Sequence, residues 1–399
     1  MTLSQLFRKS TVRLLCAALF ILFSFFWLYY FQADTIAVAQ HGLSDGKTHY
    51  ERGVGAVIIT AVLYILHLLV YAVVRLSRRT HALTYLPSMM MLAFISSVSH
   101  PFSWGAWYWA GPLVLVLWGV TVWLARKMLP FSDDVKEDTG LFSRRSWLNM
   151  LQMAGMMLCV VAVSDTNAVN HFKAHAEVAL QTARPEEATR VGERSMETDE
   201  SLTMLRVFAL SRQGLLGERL FTYPVSGSSL DMLPLQGSKS RLMLLADTVL
   251  WDYFGLRPDS IVARAEAQGS HLGIYGGQLN TRQYLDSLMT DTLATSAWQD
   301  YLLTGSLIDR RLDSFVVQLP RYYPLHADSL PRHYREALLL YQQRCDSTFT
   351  YADSLLLSEW QEFAAADTLY SRRSERIIRS DDHRHTYWYY YFYGKDVWK

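Results

Sequence analysis

The spacing of apolar and polar positions divides the chain in two. Up to about residue 164 apolar residues run almost without interruption, and residues 165–399 are mixed and charged. A helix needs roughly 20 apolar residues to cross a hydrocarbon core. Five stretches approach that length: 14–31, 54–74, 83–98, 108–125 and 147–163. The third is the weakest, because it carries Pro87 and several serines. Residues 1–164 therefore read as a transmembrane domain of five helices. His67 falls within the second span, where a neutral ring hydrogen-bonded to a neighbouring helix is the expected arrangement.

Beyond residue 164 the apolar positions recur at helical spacing. In HFKAHAEVALQTAR, Phe172, Ala176, Ala179, Leu180 and Ala183 share one face. Pro185 opens the next helix, where its missing N–H costs nothing. DESLTMLRVFALSRQG ends on Gly214, suited to a left-handed C-cap. Gly214-Leu215, Gly255-Leu256 and Gly277-Gln278-Leu279 then recur as turns between helices at uneven spacing. Val225 to Ser240, rich in Gly, Ser and Pro, reads as a loop. Helix, Gly-Leu turn, helix is the grammar of tetratricopeptide-like repeats, so residues 165–399 read as an α-helical solenoid domain. The expected fold class is all-α.

Charge gives the bundle an orientation. Arg8, Lys9 and Arg13 precede the first span; Arg75, Arg78 and Arg79 follow the second; Arg126, Lys127, Lys136, Arg144 and Arg145 lie between the fourth and fifth. The alternate loops hold only Lys47 and Arg52. With five spans every basic cluster faces the cytoplasm, the N-terminus lies there too, and residues 165–399 lie outside. In a bacterium that is the periplasm. A formal net charge of +1 gives no reason to expect nucleic acid. The three cysteines, of which only Cys345 lies in the polar part, exclude a disulfide-dense secreted domain.

Chemistry is sparse. P-loop, dinucleotide, G-x-S-x-G and C-x-x-C patterns are missing, so no cofactor and no metal site is assigned. The segment from Gln32 to Arg52 reads as an outward loop, and its Asp34, His41 and Asp45 are the catalytic candidates. An acidic residue just after the first span also occurs in membrane glycosyltransferases that use lipid-linked donors. The sequence DDHRH offers Asp381, Asp382, His383 and His385, which read first as a solvated turn. Residues 387–393 are all aromatic, and Asp381 or Asp382 is placed to cap a short helix there. That helix reads as the closing cap of the helical domain, with Tyr387, Trp388, Tyr390 and Tyr391 as its candidate contact surface.

The stretches AQHGLSDGKTHY (Ala39 to Tyr50), HALTYLPS (His81 to Ser88), GLLGERLFTYP (Gly214 to Pro224), LPRHYREALLLY (Leu330 to Tyr341) and TYWYYYF (Thr386 to Phe392) carry a resemblance. Together they resemble an uncharacterised family of integral membrane proteins from Bacteroidetes, in which several N-terminal spans precede a tetratricopeptide-like tail. The resemblance implies a bacterial inner-membrane location and no activity. The expected function is a membrane-anchored helical scaffold that binds a protein partner in the envelope. The alternative is a membrane-surface enzyme acting on a glycan or lipid-linked substrate.

Overall fold

The computed structural model describes residues 3–397 except 45, 75, 77–79, 98–100, 128–142, 236–237, 254–295, 326–329, 345–349 and 370–371. Asp45, Arg75, Arg78, Arg79, Lys136, Cys345 and the Gly255 and Gly277 turns lie outside the described residues. Every described regular element is helical. The chain forms two units, Met1–Ala174 and His175–Lys399.

In the first unit, α1 (Leu3–Phe26) continues through a π-helical turn (Trp27–Phe31) into α2 (Ala33–Ser44). Then come α3 (Arg52–Val74), a 3-10 turn (His81–Tyr85) leading into α4 (Leu86–Ser96), α5 (Pro101–Lys127) and α6 (Arg144–Val163). Among the described residues four helical stretches are long and apolar enough to cross a membrane: Thr11–Phe31, Arg52–Val74, Tyr108–Lys127 and Arg144–Val163. Their outward faces keep Leu22, Val62, Leu69, Val116 and Leu158 exposed, as lipid-facing positions require. The expected third span is shorter than the rest. Its helix covers only His81–Ser96, roughly 26 Å at 3-10 and α rises, against a core of about 30 Å.

Short as it is, that helix runs the full direction. At one end of the bundle, Trp27 Nε1 donates to Ser96 Oγ at 3.0 Å and the Asp165 amide donates to the Ser96 carbonyl at 3.2 Å. The C-terminal ends of α1, α4 and α6 therefore meet there. At the other end, Arg126 donates to the Val73 and Val74 carbonyls, joining the ends of α3 and α5. The Ala82 amide donates to Asn149 Oδ1 at 2.8 Å, bringing the start of the short helix to the start of α6. Arg13 lies 4.9 Å over the Tyr71 ring, which puts the start of the Thr11–Phe31 stretch there as well. Helices α1, α3, α4, α5 and α6 thus alternate in direction.

The Gln32 to Arg52 segment is not a loop through most of its length. Residues Ala33–Ser44 are helical, with Asp34 in the first turn, where a carboxylate favours the helix dipole.

The second unit comprises α7 (Ala168–Gln181), which begins before the division between the units, α8 (Pro185–Arg190), α9 (Glu200–Gln213), α10 (Leu216–Arg219) and α11 (Asp247–Tyr253). These are followed by α12 (Ser296–Ile308), α13 (Leu312–Gln318), α14 (Arg332–Arg344), α15 (Ser354–Leu369), α16 (Arg373–Arg379) and α17 (Tyr387–Val397). Asp199 caps α9 by accepting the Leu202 amide at 2.7 Å, and Gly214 closes it at φ 68°. One buried cluster from Ala176 to Tyr393 gathers nearly all of these helices. Glu177, fully buried, accepts the amides of Met243, Leu244 and Leu245 and ties α7 to the segment before α11.

A linear solenoid lets each repeat touch only its neighbours. The described helices do otherwise. The Phe221 amide donates to His333 Nε2 across 112 positions of sequence, and α14 in turn packs on α17. The described helices share one buried cluster.

The approach of α10 to α14 depends on Gly217. A Cβ there would lie 2.7 Å from Tyr334 Cζ and 3.0 Å from Pro331 Cβ. Tyr334 cannot swing aside, because it is fully buried and its hydroxyl donates to Asp300 Oδ1 at 2.9 Å. Gly217→Ala is therefore expected to cost about 1–3 kcal/mol by overpacking. Thermal unfolding of the C-terminal unit measures it, and an unchanged midpoint would contradict the close approach.

Candidate functional site

The aromatic run is a helix whose faces are almost entirely buried. Tyr387, Trp388 and Tyr389 are 0 % exposed, and Tyr390 is 4 % exposed. Thr386, rather than Asp381 or Asp382, caps it, its Oγ1 accepting the Tyr389 amide at 3.3 Å. The two aspartates lie on a separate 3-10 turn, and Asp381 pairs with Arg384.

Two tyrosine hydroxyls explain why this helix is not simply phenylalanine-rich. Tyr387 donates to the Leu307 carbonyl at 3.2 Å and Tyr390 to the Ile308 carbonyl at 2.8 Å. These carbonyls end α12, where the helix itself supplies no donor; the Leu307 carbonyl also accepts the Arg310 amide at 3.0 Å, and the phenols add a donor to each. Burial raises both phenol pKa values, which keeps the donors protonated.

Beneath this helix lies a buried polar network. Glu336 Oε2 accepts the Tyr387 amide at 2.7 Å and contacts His333 Nδ1 at 2.9 Å, while Oε1 accepts from Arg332 at 2.9 Å. Because the Phe221 amide donates to His333 Nε2, that nitrogen is unprotonated. The proton therefore sits on Nδ1, and a neutral His333 donates to Glu336. Burial alone would raise the Glu336 pKa; the His333, Tyr387 and Arg332 contacts outweigh it and hold the carboxyl below its ordinary range. Arg332 also meets Glu359 at 2.8 Å and His385 at 3.3 Å. His385 thus belongs to the network, not to a metal set with Asp381 and Asp382. Among the described residues no group of three His, Cys, Asp or Glu is placed to hold a metal ion.

Where α17 meets the end of α12, a cleft of about 430 Å³ opens. Its walls are the loop from Val225 to Leu230, the turn from Ile308 to Arg311, and Tyr390 with Gly394. The loop is fixed from several directions. The Ser226 amide donates to Thr203 Oγ1 at 3.0 Å, and Ser228 donates through both its amide and its hydroxyl to Asp231 Oδ2. The Ser229 amide and hydroxyl donate to Asp309 at 2.9 and 2.6 Å. Asp309 also pairs with Arg311 at 3.1 Å.

Arg310 occupies a backbone position with φ 60°, where a glycine is usual. For a residue with a Cβ that conformation costs about 1–2 kcal/mol. Its side chain offsets some of this: Cζ lies 4.9 Å over the Tyr390 ring, and Nη2 donates to the Tyr390 carbonyl at 2.9 Å. The result is a rigid cleft bearing two guanidinium groups.

The candidates of the Gln32 to Arg52 segment belong to the first unit. Asp34 pairs with Arg52 at 3.0 Å, within the first unit. His41 stands two helical turns further along α2. His67 is buried in the same unit, stacked at 3.5 Å on Tyr85 and facing Thr84 Oγ1 at 3.4 Å, with His81 edge-on at 5.7 Å. The hydrogen-bonded ring expected inside the bundle is what the structure has.

Sequence reading missed Ser229, Asp309, Arg310 and Arg311. The only local signal was a Gly/Ser-rich loop and an Arg-Arg pair after an apolar helix, neither specific by itself.

Residues 262–394 match the model of a family of unknown function, DUF6057. The match covers well under half of the chain and includes Asp309, Arg310, Arg311, Glu336 and α17 as far as Gly394; the loop at Val225–Leu230 lies outside it. No curated protein and no solved structure matches.

Proposed function

We propose that the chain is a membrane-anchored binding module. Its N-terminal unit holds it in a bacterial inner membrane by five passes, with the N-terminus in the cytoplasm. Its C-terminal unit faces the periplasm and receives a protein partner of the envelope in the cleft beside Tyr390.

The cleft carries this reading. Two segments some 80 positions apart, joined through Ser229 and Asp309, brace one opening against a buried aromatic helix. Its volume falls within the range of roughly 300–1,000 Å³ typical of ligand sites. The alternating helix directions support five passes, with the short helix counted as a pass. Arg13 and Arg126, which lie at one end of the bundle, support the orientation. The inner membrane and a bacterial origin rest on the family resemblance of the sequence.

A photo-crosslinking amino acid at position 226 tests the proposal in living cells. The expected result is a discrete crosslink to one envelope protein, absent when the crosslinker stands at exposed Leu355. With Cys16, Cys159 and Cys345 replaced by serine, a membrane-impermeant maleimide is expected to label Ser226→Cys and not Lys127→Cys in intact spheroplasts. No crosslink from position 226, or labelling from the opposite side, would refute the reading.

A further inference from the structure

The side chains of the cleft define the chemistry of what it takes. We infer that the cleft binds a single carboxylate carried on a peptide, an inference that rests on the binding-module reading above.

Three charged side chains line the opening: Asp309, Arg310 and Arg311. Their sum is one positive charge. Both oxygens of Asp309 are engaged, Oδ1 by the Ser229 amide and Oδ2 by the Ser229 hydroxyl and Arg311. It braces the walls. Each arginine carries five N–H donors. Among the described residues Arg310 spends one on the Tyr390 carbonyl, with its Nε buried and unpaired, and Arg311 meets only Asp309 through Nη2. The opening therefore has donors in excess and one uncompensated charge.

That balance selects a monoanion. Guanidinium groups match the two oxygens of a carboxylate, and charge-assisted hydrogen bonds are about twice as strong as neutral ones. A phosphate dianion would overcompensate the site and meet the Asp309 carboxylate. The remaining lining suits a peptide: Val225, Leu230 and Ile308 offer apolar contact beside the charged end. The strained backbone of Arg310 is consistent with a side chain held in place for a ligand.

The test uses the full chain in lipid nanodiscs and fluorescence anisotropy. The probes are three pools of pentapeptides whose randomised positions exclude charged residues, each labelled with an uncharged dye: one with free C-terminal carboxylates, one as carboxamides, and one as carboxamides with a single fixed central glutamate. At least one carboxylate-bearing pool is expected to bind tenfold or more tightly than the neutral pool. The comparison between the two separates a chain end from an acidic side chain. Arg311→Gln, at a half-exposed rim position that packs little, is expected to weaken that binding tenfold or more, and Arg310→Gln likewise. Acetate is expected to displace the probe better than inorganic phosphate at equal concentration.

Equal binding of the neutral pool, unchanged affinity in Arg311→Gln, or stronger displacement by phosphate would each overturn the carboxylate assignment and leave the binding module standing. Failure of all three pools to bind would overturn both. Thermal unfolding of each variant separates lost binding from lost fold.

Discussion

Removing residues 386–399 is expected to unfold the C-terminal unit. Tyr387, Trp388, Tyr389, Tyr390 and Tyr393 are all buried in its core. Burying one large apolar side chain contributes about 1.5–3 kcal/mol. Five of them together are comparable to the whole net stability of a domain, about 5–15 kcal/mol. The loss is not only apolar, since the Leu307 and Ile308 carbonyls and the Glu336 carboxylate would lose donors.

A point substitution makes the same argument. Trp388→Ala is expected to destabilise the unit by about 3–5 kcal/mol, because Trp360 and Phe363 cannot close over the space. Trp388→Phe should cost much less, since the Trp388 Nε1 has no partner among the described residues. Limited proteolysis of the full chain in detergent reads both variants. A truncated chain whose C-terminal unit stays protease-resistant would show that the helix is an appendage.

The second large effect is at Glu336. Glu336→Ala is expected to cost about 3–5 kcal/mol, the range for removing one partner of a buried ionic contact. Arg332 and the Tyr387 amide would each lose an acceptor where no water reaches the carboxylate. Glu336→Gln keeps the shape but offers an amide nitrogen where one oxygen now accepts, so its cost should be smaller.

The pH dependence has a definite sign. The folded carboxyl is held below its unfolded value, near 4.5. Its contribution is therefore present above that value and is lost as pH falls through the folded one. The wild-type chain is expected to lose stability below about pH 4.5 more steeply than Glu336→Gln, as measured by unfolding midpoints between pH 7 and pH 3. Parallel curves for the two chains would mean that Glu336 titrates alike folded and unfolded.

The cleft was the least legible part of the chain. Arg310 and Arg311 follow an apolar helix and look like any basic C-terminal pair. Only the turn's positive φ, and Ser229 arriving from 80 positions away, bring them to the cleft. His385 read with Asp381 and Asp382 as part of a solvated turn. Arg332 instead draws it into the network under α17. The aromatic run stood between: its burial as a closing element was readable, but its two phenol contacts to the end of α12 were not.

Local properties were settled by the sequence itself. Apolar length marked the membrane helices, since the hydrocarbon core sets a minimum length. Residue spacing marked the helices of the second unit, and Gly214 closed one where only a left-handed turn fits. These depend on short-range geometry and transfer energy, which act on contiguous residues. Tertiary structure decided the rest. It packed the described helices of the second unit on one buried cluster and gave the short His81–Ser96 helix its direction. It also gathered Ser229, Asp309, Arg310 and Tyr390 around one cleft. Those outcomes depend on contacts between residues tens to more than a hundred positions apart. Such contacts form where complementary shapes and unpaired polar groups meet across the core, and no local pattern encodes them.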